Sequence, residues 1–430
     1  MNISVVGSGY VGLITAVGLA SKGHKVVCID IDQRKVDMIN QAEPPFYQED
    51  LEQVLHTHVK QRGNLRASLD YDEIAHSHVT FICVYTSCNN GSNADFSAIK
   101  DSSKKIGQAI KGKQEYHLVV TKSSVPPGTT EEIIMPLLQD HSGKKAGKDL
   151  GIAVNPEFLQ EGKALSSYLN SDRIVVGQHD QKSGDVVQEI YSDFHAPILR
   201  TGLRTAEMIK FASNAFLATR VSFINEIGNL CKKLDIDVYE VANAMGYDPR
   251  IGRSYLNAGV GFGGSCLPKD LEILLHKYES TGEKSLLLNA VYQVNRLQPV
   301  KLIEITQKRL GNLQGKKIAV LGLAFKPNTD DIRHAPALEL IRQLLQQGAK
   351  VIAYDPKAIP KAMEVFPQEL EYGESVRDTI AGCDCVLILT DWHEFKDETM
   401  YADKTVVDGR RTLDPVKAKQ VCRHYEGVCW

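Results

Sequence analysis

Short apolar runs alternate with longer stretches of helical spacing along the first 200 residues. Residues 2–31 begin with an apolar strand, pass through glycines into a helix of small residues, and return to a second strand that ends at Asp30. This order of elements predicts βαβ units and a parallel sheet covered by helices on both faces. Further strand-like runs occur at 79–84, 118–121, 152–154 and 174–177.

The pattern becomes helical near residue 203. From Thr205 to about residue 234 the chain contains no proline and one glycine, and its apolar residues recur at helical spacing. Thr205 is the expected N-cap of this long helix, because its hydroxyl can accept a hydrogen bond from the first turn. Shorter helical stretches follow at 237–246, 268–280 and 285–310.

Strand–helix–strand order returns after a linker-like segment at 311–317. The predicted fold class is therefore α/β, with two Rossmann-like, doubly wound parallel-sheet domains joined by a central helical domain that contains the long helix. The expected domain boundaries are 1–200, 201–310 and 311–430.

Composition and charge restrict the function. The 430 residues carry 50 Lys and Arg against 53 Asp and Glu, so no overall positive field is available to hold a nucleic acid. Nine cysteines occur without a CxxC pair, and Cys383 and Cys385 open an apolar run, so we expect reduced thiols and no metal site. No signal-like segment is visible, and no apolar run approaches the ~20 residues of a membrane span. These features predict a cytoplasmic protein without a membrane partner.

A glycine-rich turn between the first strand and helix carries the clearest ligand signal. Gly7, Gly9 and Gly12 form a GxGxxG motif, and Asp30 ends the second strand. Such glycines permit a tight turn, close approach of a pyrophosphate, and packing of the helix on the strand. A carboxylate at the position of Asp30 accepts hydrogen bonds from a ribose diol and repels a 2′-phosphate. The motif therefore favours NAD over NADP, with a ligand-free glycine turn as the alternative.

A second glycine-rich loop, VGFGGSCLPKD at 260–270, places Cys266 just before a predicted helix. A helix N-terminus and the neighbouring Lys269 both favour the thiolate, which is the nucleophilic form of cysteine. Cys266 is therefore a candidate nucleophile. The alternative is a buried structural cysteine.

Polar residues with catalytic potential occur at three other places. Lys210 and Asn214 are spaced i,i+4 on the long helix, where a cation and an amide can stabilise an oxyanion; a solvated helix face is the alternative. Glu157 and Glu161 follow a predicted strand at the same spacing, with surface acids in a helical first turn as the alternative. Ser124 also follows a strand.

Seven segments, in order along the chain, resemble the UDP-glucose/GDP-mannose dehydrogenase family: GSGYVG, TKSSVPPGTT, NPEFLQEG, the Lys210/Asn214 helix, RIGRSYLNAGVGFGGSCLPKD, LAFKPNTDDIR and DGRR. The resemblance implies a four-electron oxidation of a sugar's primary alcohol to a carboxylate, with two NAD⁺ used in succession. It also implies that Cys266 forms a thiohemiacetal and then a thioester, which water hydrolyses.

The same resemblance assigns roles to individual residues. Lys210 and Asn214 would stabilise the oxyanion, Asp270 would hold water or transfer a proton, Glu157 would assist hydrolysis, and Ser124 would position water. The residues implied to bind NAD are Gly7, Gly9, Tyr10, Val11, Gly12, Asp30, Lys35, Thr86, Ser124, Glu161, Lys269 and Arg333. The residues implied to bind the UDP-sugar are Phe158, Leu159, Lys210, Asn214, Arg250, Tyr255, Asn257, Gly263, Lys326 and Arg410. Arg250 is expected to act across the interface of a homodimer.

Three departures from the family pattern and several rival functions stay open. Position 124 is serine where threonine is usual, Tyr85 and Ser87 flank Thr86 in place of the commoner residues, and residues 322–325 are GLAF rather than GxGxxG. A two-electron 3-hydroxyacid dehydrogenase would need no cysteine, and an NAD-sensing module would not turn over. Within the family, the 250–264 segment looks more like the UDP-glucose branch, with GDP-mannose or another UDP-hexose as the alternative substrate.

Overall fold

Two largely parallel β-sheets organise the computed structural model, which describes residues 1–88 and 94–430. They belong to two compact units, an N-terminal unit of residues 1–213 with 272–277 and a C-terminal unit of residues 214–271 with 278–430. The predicted α/β class with two Rossmann-like sheets and a helical middle is confirmed. The expected division at residues 200 and 310 stays a prediction.

Eight strands form the sheet of the N-terminal unit, in the order β10-β9-β8-β7-β4-β1-β2-β3. Neighbouring strands are parallel, except that β8 pairs antiparallel with β9. These strands are β1 (Asn2–Val6), β2 (Lys25–Ile29), β3 (Leu65–Ser68), β4 (Val79–Ile82), β7 (His117–Thr121), β8 (Leu150–Val154), β9 (Ile174–Gln178) and β10 (Ile198–Gly202). A separate two-stranded antiparallel ribbon joins β5 (Ser87–Cys88) and β6 (Ala94–Asp95).

The central strands are apolar because helices cover both faces of the sheet. Every residue of β4, β7 and β8 is buried, as expected for interior strands of a doubly wound sheet. The covering helices are α1 (Tyr10–Ser21), α2 (Gln33–Gln41), α3 (Leu51–His56), α4 (Ser97–Ala109), α5 (Met135–Ser142), α6 (Ala164–Leu169) and α7 (Gln181–Ile190). Shorter 3₁₀ or π segments lie at Thr57–Gln61, Tyr71–His76 and Thr130–Ile134.

The long helix of the middle region, α8, spans Leu203–Lys233. Thr205 therefore lies inside its first turn, and the expectation that Thr205 is the N-cap is wrong. The reason is that residues before it form β10, and the chain passes from Gly202 into the helix without a loop. Three further helices follow: α9 (Val238–Gly246), α10 (Leu267–Thr281) and α11 (Leu286–Leu310).

Six parallel strands form the sheet of the C-terminal unit, in the order β13-β12-β11-β14-β15-β16. They are β11 (Lys317–Leu321), β12 (Lys350–Tyr354), β13 (Glu371–Tyr372), β14 (Cys385–Ile388), β15 (Thr405–Asp408) and β16 (His424–Gly427). The helices are α12 (Pro336–Gln346), α13 (Ile359–Val365), α14 (Val376–Ile380) and α15 (Pro415–Val421), with short 3₁₀ segments at His393–Phe395 and Glu398–Tyr401. Within the described ranges, no helix is both long and apolar enough to span a bilayer.

The C-terminal unit has an aspartate after its second strand, as the N-terminal unit does. Asp355 follows β12 and is buried, and its carboxylate accepts hydrogen bonds from the backbone of Leu323 and Ala324 at 2.8 and 3.0 Å. The indole Nε1 of Trp392 donates to the same oxygen at 3.1 Å. Asp355 therefore holds the turn after β11, as Asp30 holds the turn after β1, and in addition it fixes an aromatic side chain.

Candidate active site

The glycine turn after β1 is tight, and its three glycines have different steric surroundings. Gly7 has a φ of +92°, and its N–H donates to the carbonyl of Ile29 at 2.7 Å. A Cβ on Gly12 would lie 1.8 Å from the carbonyl oxygen of Gly7, so only glycine lets α1 pack against the turn. A Cβ on Gly9 would meet no atom within 4 Å, so the space above Gly9 is open for a ligand.

Asp30 is oriented by the turn that it faces. Its Oδ2 accepts hydrogen bonds from the N–H and the hydroxyl of Ser8, both at 2.6 Å, and its Oδ1 accepts from the N–H of Asp32 at 3.0 Å. Burial raises the pKa of Asp30, but these hydrogen bonds and the charge of Lys35 outweigh it and lower the pKa overall. Asp30 is therefore an ionised acceptor. Ser8 was missed because the middle positions of GxGxxG accept many residues.

Tyr10 connects the start of α1 to the loop that contains Glu161. Its hydroxyl donates to Gln48 Oε1 at 2.9 Å and accepts from the N–H of Gly162 at 3.1 Å. Its ring lies 5.0 Å from that of Phe46. Gln48 and Phe46 lie in a polar loop with no motif, so the sequence offered no signal for them. Val11 is half-buried in the next position of the helix.

The ends of β4 and β7 meet through two predicted site residues. The hydroxyl of Thr86 donates to the carbonyl of Ser124 at 2.9 Å. The loop after Ser124 is held from the other side by Glu207 of α8, whose carboxylate accepts from the N–H groups of Gly128 and Thr130 at 2.6 and 2.9 Å. Burial raises the pKa of Glu207. Glu207 was missed because an acid near a helix start resembles an ordinary surface residue.

Glu157 and Lys210 form a buried ion pair. Their Oε1 and Nζ atoms are 2.7 Å apart, and each side chain is only 4% exposed. Burial raises the pKa of Glu157, but the charge and hydrogen bond of Lys210, the N–H of Leu159 at 2.7 Å and the charge of Lys122 outweigh it and lower the pKa. The carboxylate is therefore ionised although it is buried, and the alternative of a solvated helix face for Lys210 is wrong.

The segment from 155 to 160 is an irregular loop, not a helix. The alternative of surface acids in a helical first turn is therefore wrong: Glu157 is buried and Glu161 lies in the turn before α6. Pro156 disfavours helical backbone at the preceding Asn155, so β8 runs directly into this loop. Phe158 follows Glu157 in this loop. The guanidinium of Arg173 stacks on its ring, with Cζ 4.0 Å from the ring centroid.

Cys266 lies at the N-cap position of α10, and Pro268 occupies the first turn. Among the cysteine side chains that the structure describes, Cys266 is exposed, whereas the others are buried or half-buried. The alternative of a buried structural cysteine is therefore wrong. The hydroxyl of Ser265 lies 3.6 Å from its Sγ.

A polar cluster follows Cys266 in the C-terminal unit. Asp270 is buried and accepts from the amide of Asn214 at 2.6 Å through Oδ2 and from the ammonium of Lys269 at 2.7 Å through Oδ1. Lys210 and Asn214 thus both lie in α8 but have different acidic partners. Their joint action on one oxyanion stays a prediction.

The glycines of the cysteine loop pack against protein backbone and side chains. A Cβ on Gly263 would lie 2.3 Å from the carbonyl oxygen of His334, and one on Gly264 would lie 2.7 Å from the ring of Phe325. Arg410 holds the same loop, because its guanidinium donates to the carbonyls of Gly261, Leu389 and Phe325. These contacts give Arg410 a structural task that its motif did not indicate.

The remaining predicted residues lie on the surface or pair locally. Arg250 is 87% exposed and forms an ion pair with Asp248 two residues away. Arg333 pairs with Asp331 in the same way, and Lys35 lies 3.8 Å from Asp32. Tyr255 and Asn257 are exposed and Lys326 is half-buried. Among the described residues, no cluster of three or more potential metal ligands occurs.

Comparison with known proteins places this geometry in a family. Three family models match in order: the NAD binding domain of the UDP-glucose/GDP-mannose dehydrogenase family at 1–195, its central domain at 204–297, and its UDP binding domain at 319–415. The chain belongs to the UDP-glucose/GDP-mannose dehydrogenase family. It is therefore an NAD-dependent nucleotide-sugar dehydrogenase, and the NAD expected from the GxGxxG motif and Asp30 is confirmed.

Relatives of this dehydrogenase match it along nearly their whole length. UDP-glucose 6-dehydrogenase YwqF of Bacillus subtilis is 41% identical over 430 residues, which covers 98% of this chain and 96% of that protein. A UDP-glucose dehydrogenase structure from the hyperthermophilic archaeon Pyrobaculum islandicum has a TM-score of 0.95 at 40% identity, covering 100% of this chain and 98% of that one. A GDP-mannose 6-dehydrogenase of Pseudomonas putida is 34% identical over 452 residues, covering both chains fully.

Two glycine substitutions in the NAD binding domain separate packing from cofactor binding. Gly12→Ala puts a methyl group into the carbonyl of Gly7, so we expect a stability loss on the order of 2 kcal/mol, measured by chemical denaturation. Gly9→Ala meets no protein atom, so we expect a change below about 1 kcal/mol but an NAD⁺ affinity reduced roughly tenfold or more. Equal effects of both variants on stability would contradict this assignment.

Proposed function

We propose that the enzyme oxidises UDP-glucose to UDP-glucuronate and reduces two NAD⁺ in the process. The observation that carries this proposal is the exposed Cys266 at the start of α10, while the other described cysteines are shielded. A two-electron dehydrogenase needs no such nucleophile. Relatives that are 40% and 41% identical over almost the whole chain and named UDP-glucose 6-dehydrogenases support the choice of sugar.

The reaction is proposed to proceed in three stages. A hydride passes from the sugar's primary alcohol carbon to NAD⁺ and the hydroxyl proton is released, which leaves an aldehyde. The Cys266 thiolate adds to the aldehyde carbon, and the resulting thiohemiacetal gives a second hydride to a second NAD⁺ and becomes a thioester. Water then cleaves the carbon–sulfur bond, which yields the carboxylate and returns the thiolate. The sum is one alcohol, one water and two NAD⁺ converted to one carboxylate, two NADH and three protons.

The polar residues around these steps have proposed roles that fit their surroundings. The helix N-terminus at Cys266 favours the thiolate. Lys210 and Asn214 would stabilise the oxyanion that forms on the sugar oxygen. Glu157 would accept a proton from the attacking water, because its carboxylate is already in the ionised form that a general base requires. Asp270 would orient the water or pass its proton.

The residues proposed to bind NAD lie mainly in the first unit. Asp30 would accept the ribose diol, the N-terminus of α1 would bind the pyrophosphate, and Thr86 and Ser124 would contact the nicotinamide side. The other members are Tyr10, Val11, Lys35, Glu161, Lys269 and Arg333. The UDP-sugar would contact Phe158, Leu159, Tyr255, Asn257, Gly263, Lys326 and Arg410.

A homodimer is part of the proposal. Phe216, Phe223 and Leu230 are spaced seven residues apart along α8, and they are 62%, 44% and 57% exposed. Such an apolar stripe on a helix is typical of a surface covered by a partner. A second copy of the chain would cover it, and its Arg250 would complete the sugar site.

The yield of NADH tests the substrate and the electron count together. With limiting UDP-glucose we expect about two NADH per sugar, because a thioester route oxidises the alcohol twice. UDP-galactose, UDP-N-acetylmannosamine and GDP-mannose, assayed in parallel, should turn over at least about tenfold less efficiently. One NADH per sugar, or a preference for GDP-mannose, would contradict the assignment.

Replacement of the nucleophile should separate the two oxidations. Cys266→Ser should fold and bind both ligands, but serine is a poorer nucleophile and leaving group, so steady-state turnover should fall by about 10²-fold or more. Mass spectrometry after incubation with UDP-glucose and NAD⁺ should detect an accumulated sugar ester or a free aldehyde. Conversion to the acid at the unchanged rate would make Cys266 structural.

Subunit complementation tests the dimer and Arg250. Arg250→Ala and Cys266→Ser should each be nearly inactive, yet an equal mixture that is allowed to exchange subunits should regain about a quarter of the sites. In parallel, Leu230→Arg should yield monomers by light scattering, whereas Val416→Arg, on an even more exposed residue of α15, should not. An active monomer would refute both parts.

A further inference from the structure

A second buried lysine, Lys122, lies directly after β7 and is 3% exposed. Its Nζ donates to the side-chain oxygen of Asn155 at 2.8 Å and lies 3.4 Å from both the carbonyl oxygen of Asn155 and the hydroxyl of Tyr191. It also lies 5.6 and 5.8 Å from the ring centroids of Tyr168 and Tyr191. The ammonium group is therefore held in one place by several contacts.

Burial of the Lys122 ammonium group costs folding free energy, which a residue that only fills space would not need to impose. Within the ranges 1–88 and 94–430, no carboxylate lies within ion-pair distance of Lys122, and a buried ammonium normally requires one. Neutral oxygens and aromatic faces replace it. A methionine of similar length would pack into the same aromatic surroundings without this cost, so the charge itself calls for an explanation.

The contacts of Lys122 lead directly to Glu157. Asn155 receives the ammonium through two oxygens, and its N–H donates to the carbonyl of Thr121 at 2.9 Å. Glu157 follows two residues later, beyond Pro156, whose ring restricts the intervening backbone. Lys122, Asn155 and Glu157 also line one cavity of about 230 Å³ in the N-terminal unit.

The groups that act on Glu157 come from several elements, and two of them are cations. Lys210 of α8 pairs with it directly, and Lys122 contributes its charge from the end of β7. Cys83, after β4, stays a neutral thiol because burial raises its pKa to about 12, and burial likewise keeps the phenol of Tyr168 neutral by raising its pKa. Tyr191 is a hydrogen-bond partner of Lys122, and Arg173 stacks on the neighbouring Phe158.

We propose that Lys122 is a positioning residue for hydrolysis: it fixes the turn that carries Glu157 and supplies a second positive charge to that carboxylate. The inference rests on the proposed role of Glu157 in thioester cleavage. Lys210 has two proposed tasks, because it pairs with the Glu157 carboxylate and also stabilises the oxyanion. Its charge is divided between these two groups when the oxyanion forms. Lys122 is not assigned to the oxyanion, so its charge acts on the Glu157 carboxylate at every stage of the reaction.

The test compares Lys122→Met with a matched buried lysine. In Lys122→Met, the carboxylate of Glu157 loses one stabilising charge, so it becomes protonated at higher pH. We expect the acid limb of the steady-state rate to move up by roughly one pH unit. Because the loop that carries Glu157 also loses the contact that fixes it, the steady-state rate at neutral pH should fall at least about tenfold, while the pre-steady-state rate of NADH formation stays within about twofold. Lys122→Arg, which keeps the charge, should return the acid limb toward its original position.

Lys144→Met is the control, because Lys144 is also buried in the same unit and donates to the carbonyl of Lys113 at 2.5 Å. It should lower the melting temperature without moving the pH profile. If Lys122→Met does not fold, Asn155→Asp provides the same test with an almost unchanged shape. Its new carboxylate would pair with Lys122 and should also move the acid limb upward.

The outcomes distinguish this inference from the proposed function. If Glu157→Gln slows the steady state but Lys122→Met and Asn155→Asp leave the acid limb unmoved, Lys122 is structural and the inference is overturned. An equal shift in Lys144→Met overturns it as well. If Glu157→Gln itself leaves the steady-state rate unchanged, the proposed role of Glu157 fails first.

Discussion

The buried ion pair between Glu157 and Lys210 is the interaction on which the proposed chemistry of the first unit depends. Removing both charges from water is expensive, and their attraction offsets that cost only while the 2.7 Å contact is maintained. The pair joins an irregular loop after β8 to the first third of α8, so neither element can shift alone without leaving a buried charge. The pair therefore contributes less to stability than to a fixed arrangement of a cation and a carboxylate.

The parallel sheet explains why dispersed motifs come together around this pair. The carboxyl ends of β1, β4, β7 and β8 lie at one edge, and each is followed by a residue of the proposed site: Gly7, Thr86, Ser124 and Glu157. These loops lie at the same edge although the order of the strands in the sheet differs from their order in the sequence. The pairing of the strands thus determines where the polar residues of the loops meet.

Features with local causes could be predicted from sequence. The βαβ pattern, the glycine turn with Asp30, and the helix beginning beside Cys266 each follow from residues close together in the chain. Contacts between distant segments could not be predicted: Ser8 on Asp30, Gln48 on Tyr10, and Glu207 on the 128–130 loop involve common polar residues without a motif. The error at Thr205 arose because β10 runs directly into α8, so the neighbouring strand overrode the local N-cap signal.

Trp392, bound through its indole to Asp355, is one of two tryptophans in the chain. The other, Trp430, packs edge-on against Tyr239 with ring centroids 5.4 Å apart. Both belong to the C-terminal unit, so intrinsic tryptophan emission is an optical signal of that unit alone, while the N-terminal unit contributes tyrosine emission only. Bound NADH has its own fluorescence, so the folding of one half and the cofactor occupancy of the other can be followed at separate wavelengths in the same unlabelled sample.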